Sequence, residues 1–126
     1  MYLIDSDRTI DWLKGRREAT ELVSTLDGAR YLSIISYGEI YDGIYGGADP
    51  AAQQHSFEAF LEDVAVLTLT TRIMRRFARL RLDLRRSGQR ISDSDLMIAA
   101  SALDRDFTLV TRNVREFARV PGLRIL

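Results

Sequence analysis

At 126 residues and with no cysteine, the chain has the length of one domain and offers no disulfide, thiolate nucleophile or zinc-thiolate site. Apolar residues make up 46% and charged residues 29%, a composition that folds, and a formal net charge of zero argues against a protein that coats nucleic acid by bulk phosphate neutralisation. Acids appear from Asp5 onward where a leader would be basic and then apolar, and no apolar run approaches the roughly 20 residues of a spanning helix, so the expectation is one cytoplasmic domain over residues 1–126 with no membrane segment.

Met1 to Ile4 is a short apolar run stopped by Asp5, Ser6 and Asp7, the pattern of a buried strand that delivers side chains at its carboxyl end. Helical spacing follows in Ile10 and Leu13 and, after Gly15, in Ala19, Leu22, Val23 and Leu26, which predicts one or two helices ending at Asp27-Gly28. Tyr31 to Ile35 is β-rich and predicts a second strand. Ser36 then stands as an N-cap with Glu39 three residues on, a capping-box pattern opening a helix through Ile40, Ile44 and Tyr45 that Gly46-Gly47 and Pro50 close. Another helix is predicted from about Ala51 to Leu61, a third strand from Val64 to Leu67, and a long helix from about Thr71 to Arg86 with Ile73, Phe77, Leu80 and Leu84 on one stripe. After the break at Ser87-Gly88, Leu96 to Leu103 reads as a helix whose alanines permit close packing on a sheet. Phe107 to Val110 reads as a fourth strand, and Leu123 to Leu126 as a candidate fifth. Strands alternating with helices predict an α/β fold: a parallel sheet of four or five strands covered on both faces.

In such a sheet, side chains just beyond the carboxyl ends of strands converge on one crevice. Asp5 follows the first strand, Glu39 lies in the helix after the second, Asn113 and Glu116 follow the fourth, and Asp93 and Asp95 open the helix that feeds the fourth. Carboxylates gathered there repel one another unless a cation offsets them, and oxygen-only donors without cysteine suit Mg²⁺ or Mn²⁺. A metal bound there supplies a positioned, acidified water for attack on a phosphodiester. Each acid also has a purely structural reading: Asp5 as an N-cap, Glu39 as the partner of Ser36, Asp93 and Asp95 as first-turn acids facing a helix dipole, and Glu116 as an exposed turn residue.

Of the 18 basic residues 17 are arginine, and eight of them lie between Arg72 and Arg90, a stretch with Asp83 as its one acid. That face is either solvated or the wall of a groove holding phosphates without reading bases. Arg112, beside the acids, is a separate candidate for phosphate contact. Tyr37, Tyr41 and Tyr45 share a helical face and suit a core or dimer stripe better than base stacking, and His55 reads as surface.

The chain resembles PIN domains, the VapC toxins in particular, over essentially its whole length. The likeness is carried by Tyr2-Leu3-Ile4-Asp5-Ser6-Asp7, by Glu39 within Ile34-Ile35-Ser36-Tyr37-Gly38-Glu39-Ile40, by Ser94-Asp95-Leu96-Met97-Ile98-Ala99-Ala100, and by Leu109-Val110-Thr111-Arg112-Asn113-Val114-Arg115-Glu116-Phe117, in the family's order and at its approximate spacing. The resemblance implies a three-layer α/β/α fold and cleavage of single-stranded RNA with Mg²⁺, or Mn²⁺ in its place. It implies Asp5, Glu39 and Asp95 as the core acids, Glu116 as a more variable fourth, and Thr111 and Asn113 as polar residues near the metal. It further implies a homodimer and a hetero-oligomer with a small VapB-type antitoxin that inhibits the enzyme. Asp7 stands where many members carry Asn, Arg8 where an aliphatic residue is usual, and Asp93 is additional to the pattern, so Asp7 and Asp93 are further candidates for the site.

Two other readings compete. Asp5-Ser6-Asp7-Arg8-Thr9 fits the DxDxT loop of haloacid-dehalogenase-type phosphatases, with Asp5 as nucleophile and Asp7 as acid/base, but the one lysine, Lys14, lies a single helix downstream and Glu39 has no role. A PIN-fold module that binds RNA or protein without catalysis is the other, against which the intact acid set argues.

Overall fold

The computed structural model describes residues 1–126 and places four strands in one parallel sheet. In chain order the elements are β1 (Tyr2–Ile4), α1 (Ser6–Leu13), α2 (Arg17–Thr25), β2 (Arg30–Ser33), α3 (Ile34–Tyr45), α4 (Pro50–Phe60), β3 (Ala65–Leu67), α5 (Thr71–Arg86), α6 (Asp93–Arg105), β4 (Thr108–Val110) and α7 (Val114–Phe117). Across the sheet the strands run β3-β2-β1-β4, so β1 has a neighbour on each side. No helix is long and apolar enough to cross a membrane.

Successive residues of a strand face opposite sides of a sheet, and the core divides accordingly. Leu3 and Leu109 pack with Leu84, Leu96, Ile98, Ala99 and Phe117 of α5, α6 and α7. Ile4, Leu32 and Val110 pack on the other face with Val23, Ile40, Ile44, Phe57 and Phe60 of α2, α3 and α4. The result is three layers, α/β/α, as expected. Ala99, Ala100 and Ala102 are fully buried, and their small side chains let α6 lie close under the sheet. Phe57, also fully buried, is ringed by Tyr37, Tyr41 and Phe60. The tyrosine stripe of α3 is therefore half-buried against the core at its first two positions and exposed at Tyr45.

Three local expectations are adjusted. β2 ends at Ser33, whose hydroxyl accepts a hydrogen bond from the Ile35 N–H (3.1 Å), so Ser33 is the N-cap of α3 and Ser36 lies inside the helix. The capping box with Glu39 does not form. The apolar pair Ile34-Ile35 reads equally as a strand end or a first helical turn, and the earlier serine wins the cap. Helix α6 extends three residues ahead of the apolar stretch read from Leu96, because Ser92 caps it by accepting from the Asp95 N–H (3.2 Å), so Asp93 and Asp95 do open it as first-turn acids. The fifth strand shrinks to a single parallel bridge between Leu109 and Ile125.

Candidate active site

The parallel register aligns Ile4 with Val110 and with Leu32, so the residues one step beyond, Asp5, Thr111 and Ser33, emerge side by side at the carboxyl edge. Asp5 caps α1: one carboxylate oxygen accepts from the Ser6 N–H (2.8 Å), and its carbonyl accepts from the Thr9 N–H (3.1 Å) and hydroxyl (3.0 Å). Its other carboxylate oxygen, Oδ2, accepts from the Thr111 hydroxyl at 2.8 Å. The Thr111 oxygen in turn accepts from the Asn113 N–H (3.0 Å). Capping and site membership thus coexist at Asp5, and Asn113 contributes through its backbone.

Asp7 ties the same loops together from two residues further along. Its Oδ2 accepts from the Arg112 N–H at 2.9 Å and lies 3.4 Å from the Thr111 hydroxyl, while Oδ1 accepts from the Arg8 N–H. The segment after β4 is therefore latched to the segment after β1 through two aspartates. Asp7 is committed to holding a backbone, which leaves the phosphatase reading without a free second acid.

The electrostatics single out the same neighbourhood. Burial drives the Asp5 carboxyl up from 3.8 to about 6; the Thr111 hydrogen bond pulls it down, and the charges of Asp7 and Asp95 push it up again. Glu39 is raised, first by partial burial and then by Asp95. Asp95 is raised by burial above all, the Ser92 hydrogen bond opposes this, and Glu116 and Asp7 add to it. Asp5, Asp7, Glu39, Asp95 and Glu116 thus share one field although they come from four separate stretches of chain. None of the protein's ion pairs reaches any of the five. The acids line the crevice without any three meeting at a single point.

Asp93 stands apart. It is exposed and its carboxylate is held by Arg81 at 3.0 Å, so of the two acids that open α6 only Asp95 belongs to the crevice. Positions 93 and 95 are about 200° apart around a helix, which sends the two side chains in different directions. Arg112 does not hang free over the acids: its guanidinium is 2.8 Å from the carboxylate of Asp11, which also meets Arg16 at 3.4 Å. Asp11, buried on α1, escaped the sequence reading; its spacing of four from Asp7 puts both on one helical face and was the available signal. Ser36, fully buried one turn before Glu39, has a hydroxyl with no hydrogen-bond partner. His55 is at the surface, as expected.

Residues 2–123 match the family model described as PIN domain. Ribonuclease VapC1 of Haemophilus influenzae (strain R2866) is 30% identical over 127 residues, covering 98% of this chain and 95% of the relative. The tRNA(fMet)-specific endonuclease VapC of Salmonella typhimurium is also 30% identical, over 125 residues, with the same coverage. Among solved structures, the DNA-bound VapBC complex from Salmonella typhimurium contains a chain that superposes with a TM-score of 0.91 at 28% identity, covering 99% of this chain and 96% of that one. With its strand order, its acid-lined edge and these matches along nearly its whole length, the chain belongs to the PIN-domain family, on its VapC branch.

Proposed function

We propose that the chain is a divalent-metal-dependent endoribonuclease that cleaves single-stranded RNA, and that it is the toxin of a toxin-antitoxin pair, restrained by a VapB-type antitoxin. The carrying observation is the set of acids at the edge of a parallel sheet, of which Asp5, Glu39 and Asp95 are raised by burial first and by neighbouring acids second, with no ion pair to any of them. The relatives named as VapC ribonucleases, and the neighbour solved as a VapBC complex, support the enzymatic and the partner reading respectively.

The donor set fits a hard cation: carboxylates and a threonine hydroxyl, all oxygen, in a crevice whose like charges are otherwise uncompensated. Asp5, Glu39 and Asp95 are the acids that would hold it, with Glu116 beside Asp95; no three of them already meet at one point, so the cation would have to draw them together. Bound there, Mg²⁺ or Mn²⁺ supplies charge neutralisation and an acidified water. The chain's own contributions are orientation and proton handling. Thr111 fixes the Asp5 carboxylate by donating to Oδ2, and Ser6 fixes the other oxygen, so Asp5 presents a single geometry. Glu39 is exposed and only lightly constrained, which suits it to accept a proton from the attacking water.

The test is cleavage of bulk cellular RNA by the purified protein with Mg²⁺, with EDTA, and with EDTA followed by excess Mn²⁺. Cleavage in the first and third conditions only is expected, and cleavage that survives exhaustive chelation refutes the metal assignment. Mapping of new 5′ ends in cells induced for wild type against Asp5→Asn then identifies the RNA; ends common to both would remove the nuclease reading.

A further inference from the structure

The acid crevice opens into two grooves of opposite character. On the side of Glu39, a groove of about 330 Å³ runs between α1, α3 and α4, lined by Ile10, Leu13, Ile40 and Ile44, with Lys14 as its one cation. On the side of Glu116, a groove of about 700 Å³ runs between the end of α5 and the start of α6, and its walls carry Arg81, Arg85 and Arg90. Arg81 is paired with Asp93, whereas Arg85 and Arg90 are exposed and engage no acid. The second groove therefore carries two unpaired guanidiniums next to Glu116, and the first only the single ammonium of Lys14. Of the guanidiniums near the acids by sequence, Arg8 is engaged by Glu18 and Arg112, like Arg16, by Asp11, while Arg115 is exposed and lines neither groove.

The cationic wall is also fixed in place. Gly88 takes a positive φ of 75° to end α5, Gln89 N–H donates to the Leu84 carbonyl at 2.8 Å, and the Arg90 carbonyl accepts from the Arg119 guanidinium at 2.7 Å. The last of these ties the loop carrying Arg90 to the segment just after α7, the helix of Glu116. A rigid, concave, cationic channel that ends at an acid crevice matches a polyanionic strand whose one phosphate enters the crevice while its neighbours lie along the channel.

We propose that this groove is a subsite for the sugar-phosphate backbone of single-stranded RNA, and that Arg85 and Arg90 hold phosphates on one side of the scissile bond only, which gives the bound strand a one-sided footprint. The inference rests on the nuclease reading for its biological sense but is tested by binding. Anisotropy of a fluorescein-labelled 20-nucleotide oligouridylate is titrated across a salt series, with EDTA present to keep the strand intact, for wild type, Arg85→Gln/Arg90→Gln, Lys14→Gln and Arg76→Gln/Arg79→Gln. Arg76 and Arg79 are exposed on α5 but line neither groove.

Each phosphate contact on a single strand contributes about 0.7 to the slope of log K against log salt. The Arg85/Arg90 pair is expected to lower that slope by about 1.4, with Lys14→Gln and Arg76→Gln/Arg79→Gln unchanged. An unchanged slope for Arg85/Arg90 overturns the subsite. An equal loss in Arg76/Arg79 replaces it with a diffuse field, and an equal loss in Lys14→Gln overturns the one-sidedness. Circular dichroism verifies that each variant is folded. If wild type shows the slope pattern yet cuts no RNA in Mg²⁺, the nuclease reading fails and the groove stands; if it cuts RNA with no such pattern, the reverse holds.

Discussion

Asp5→Asn is expected to make the protein inactive and more stable at once. At neutral pH the folded chain keeps Asp5 ionised although burial and the charges of Asp7 and Asp95 resist it; the rise from 3.8 to about 6 corresponds to roughly 3 kcal/mol at about 1.4 kcal/mol per pH unit. Asparagine removes that cost and caps a helix as well as aspartate does. The amide nitrogen now faces Thr111, whose hydroxyl has Asp7 Oδ2 at 3.4 Å as an alternative acceptor, so about 1 kcal/mol is lost in hydrogen bonding. The net gain is about 2 kcal/mol, or roughly 6 to 10 °C in Tm for a chain of this size. The sign with pH is fixed. A carboxyl raised in the folded state favours folding fully below its unfolded value of 3.8, and that contribution disappears as pH rises through about 6. Thermal unfolding in EDTA is therefore expected to show the variant level with or slightly below wild type at pH 4 and above it at pH 8. A Tm difference that is the same at both pH values, or a variant less stable at pH 8, refutes the electrostatic account of the crevice.

Asp95→Asn is expected to reduce cleavage of cellular RNA by at least a hundredfold, whereas Asp93→Asn, which only frees Arg81, leaves the rate within about threefold because an exposed pair contributes about 0 to 1 kcal/mol; equal losses would undo the assignment. Thr111→Val removes the hydrogen bond that lowers the Asp5 carboxyl, so the acidic limb of the pH-rate profile moves to higher pH while Thr111→Ser restores it; a profile that does not move shows that Thr111 acts by packing alone. Phe57→Ala, at the centre of the aromatic cluster, is expected to cost about 3 to 5 kcal/mol in urea denaturation, and a loss under 1 kcal/mol would mean the cluster repacks. In all three cases, circular dichroism of the purified variant separates a lost fold from a lost function.

The sequence carried the strands and most of the acids because their signals are local. An apolar run halted by Asp5, and another halted by Thr111, announce strand ends without reference to anything distant. The start of α3 was ambiguous for the same reason: Ser33 and Ser36 each precede an apolar stretch, and only packing of Ile40 and Ile44 against Ile4 and Val110 selects the first. Asp95 is favoured over Asp93 already by the register of Leu96 to Ala100 behind it, and the structure adds that Asp93 turns away to Arg81. What was invisible is what joins remote parts of the chain. The Thr111 hydroxyl and the Asp5 carboxylate are 106 positions apart, Asp7 and the Arg112 N–H 105, and the division into an apolar and a cationic groove depends on which helices flank each end of the crevice.

That separation has a consequence for synthesis on the ribosome. Because β1 sits between β2 and β4, the first strand to emerge receives its second neighbour last, and loop closure over so many residues makes this a late, slow pairing. A nascent chain halted anywhere before Thr108 has Asp5 without its Thr111 hydrogen bond and Asp7 without the backbone it holds. The crevice is thus assembled only after the segment carrying Thr111 has been made, 106 positions behind Asp5, so the chain carries a built-in delay between the appearance of that aspartate and the closing of the crevice around it.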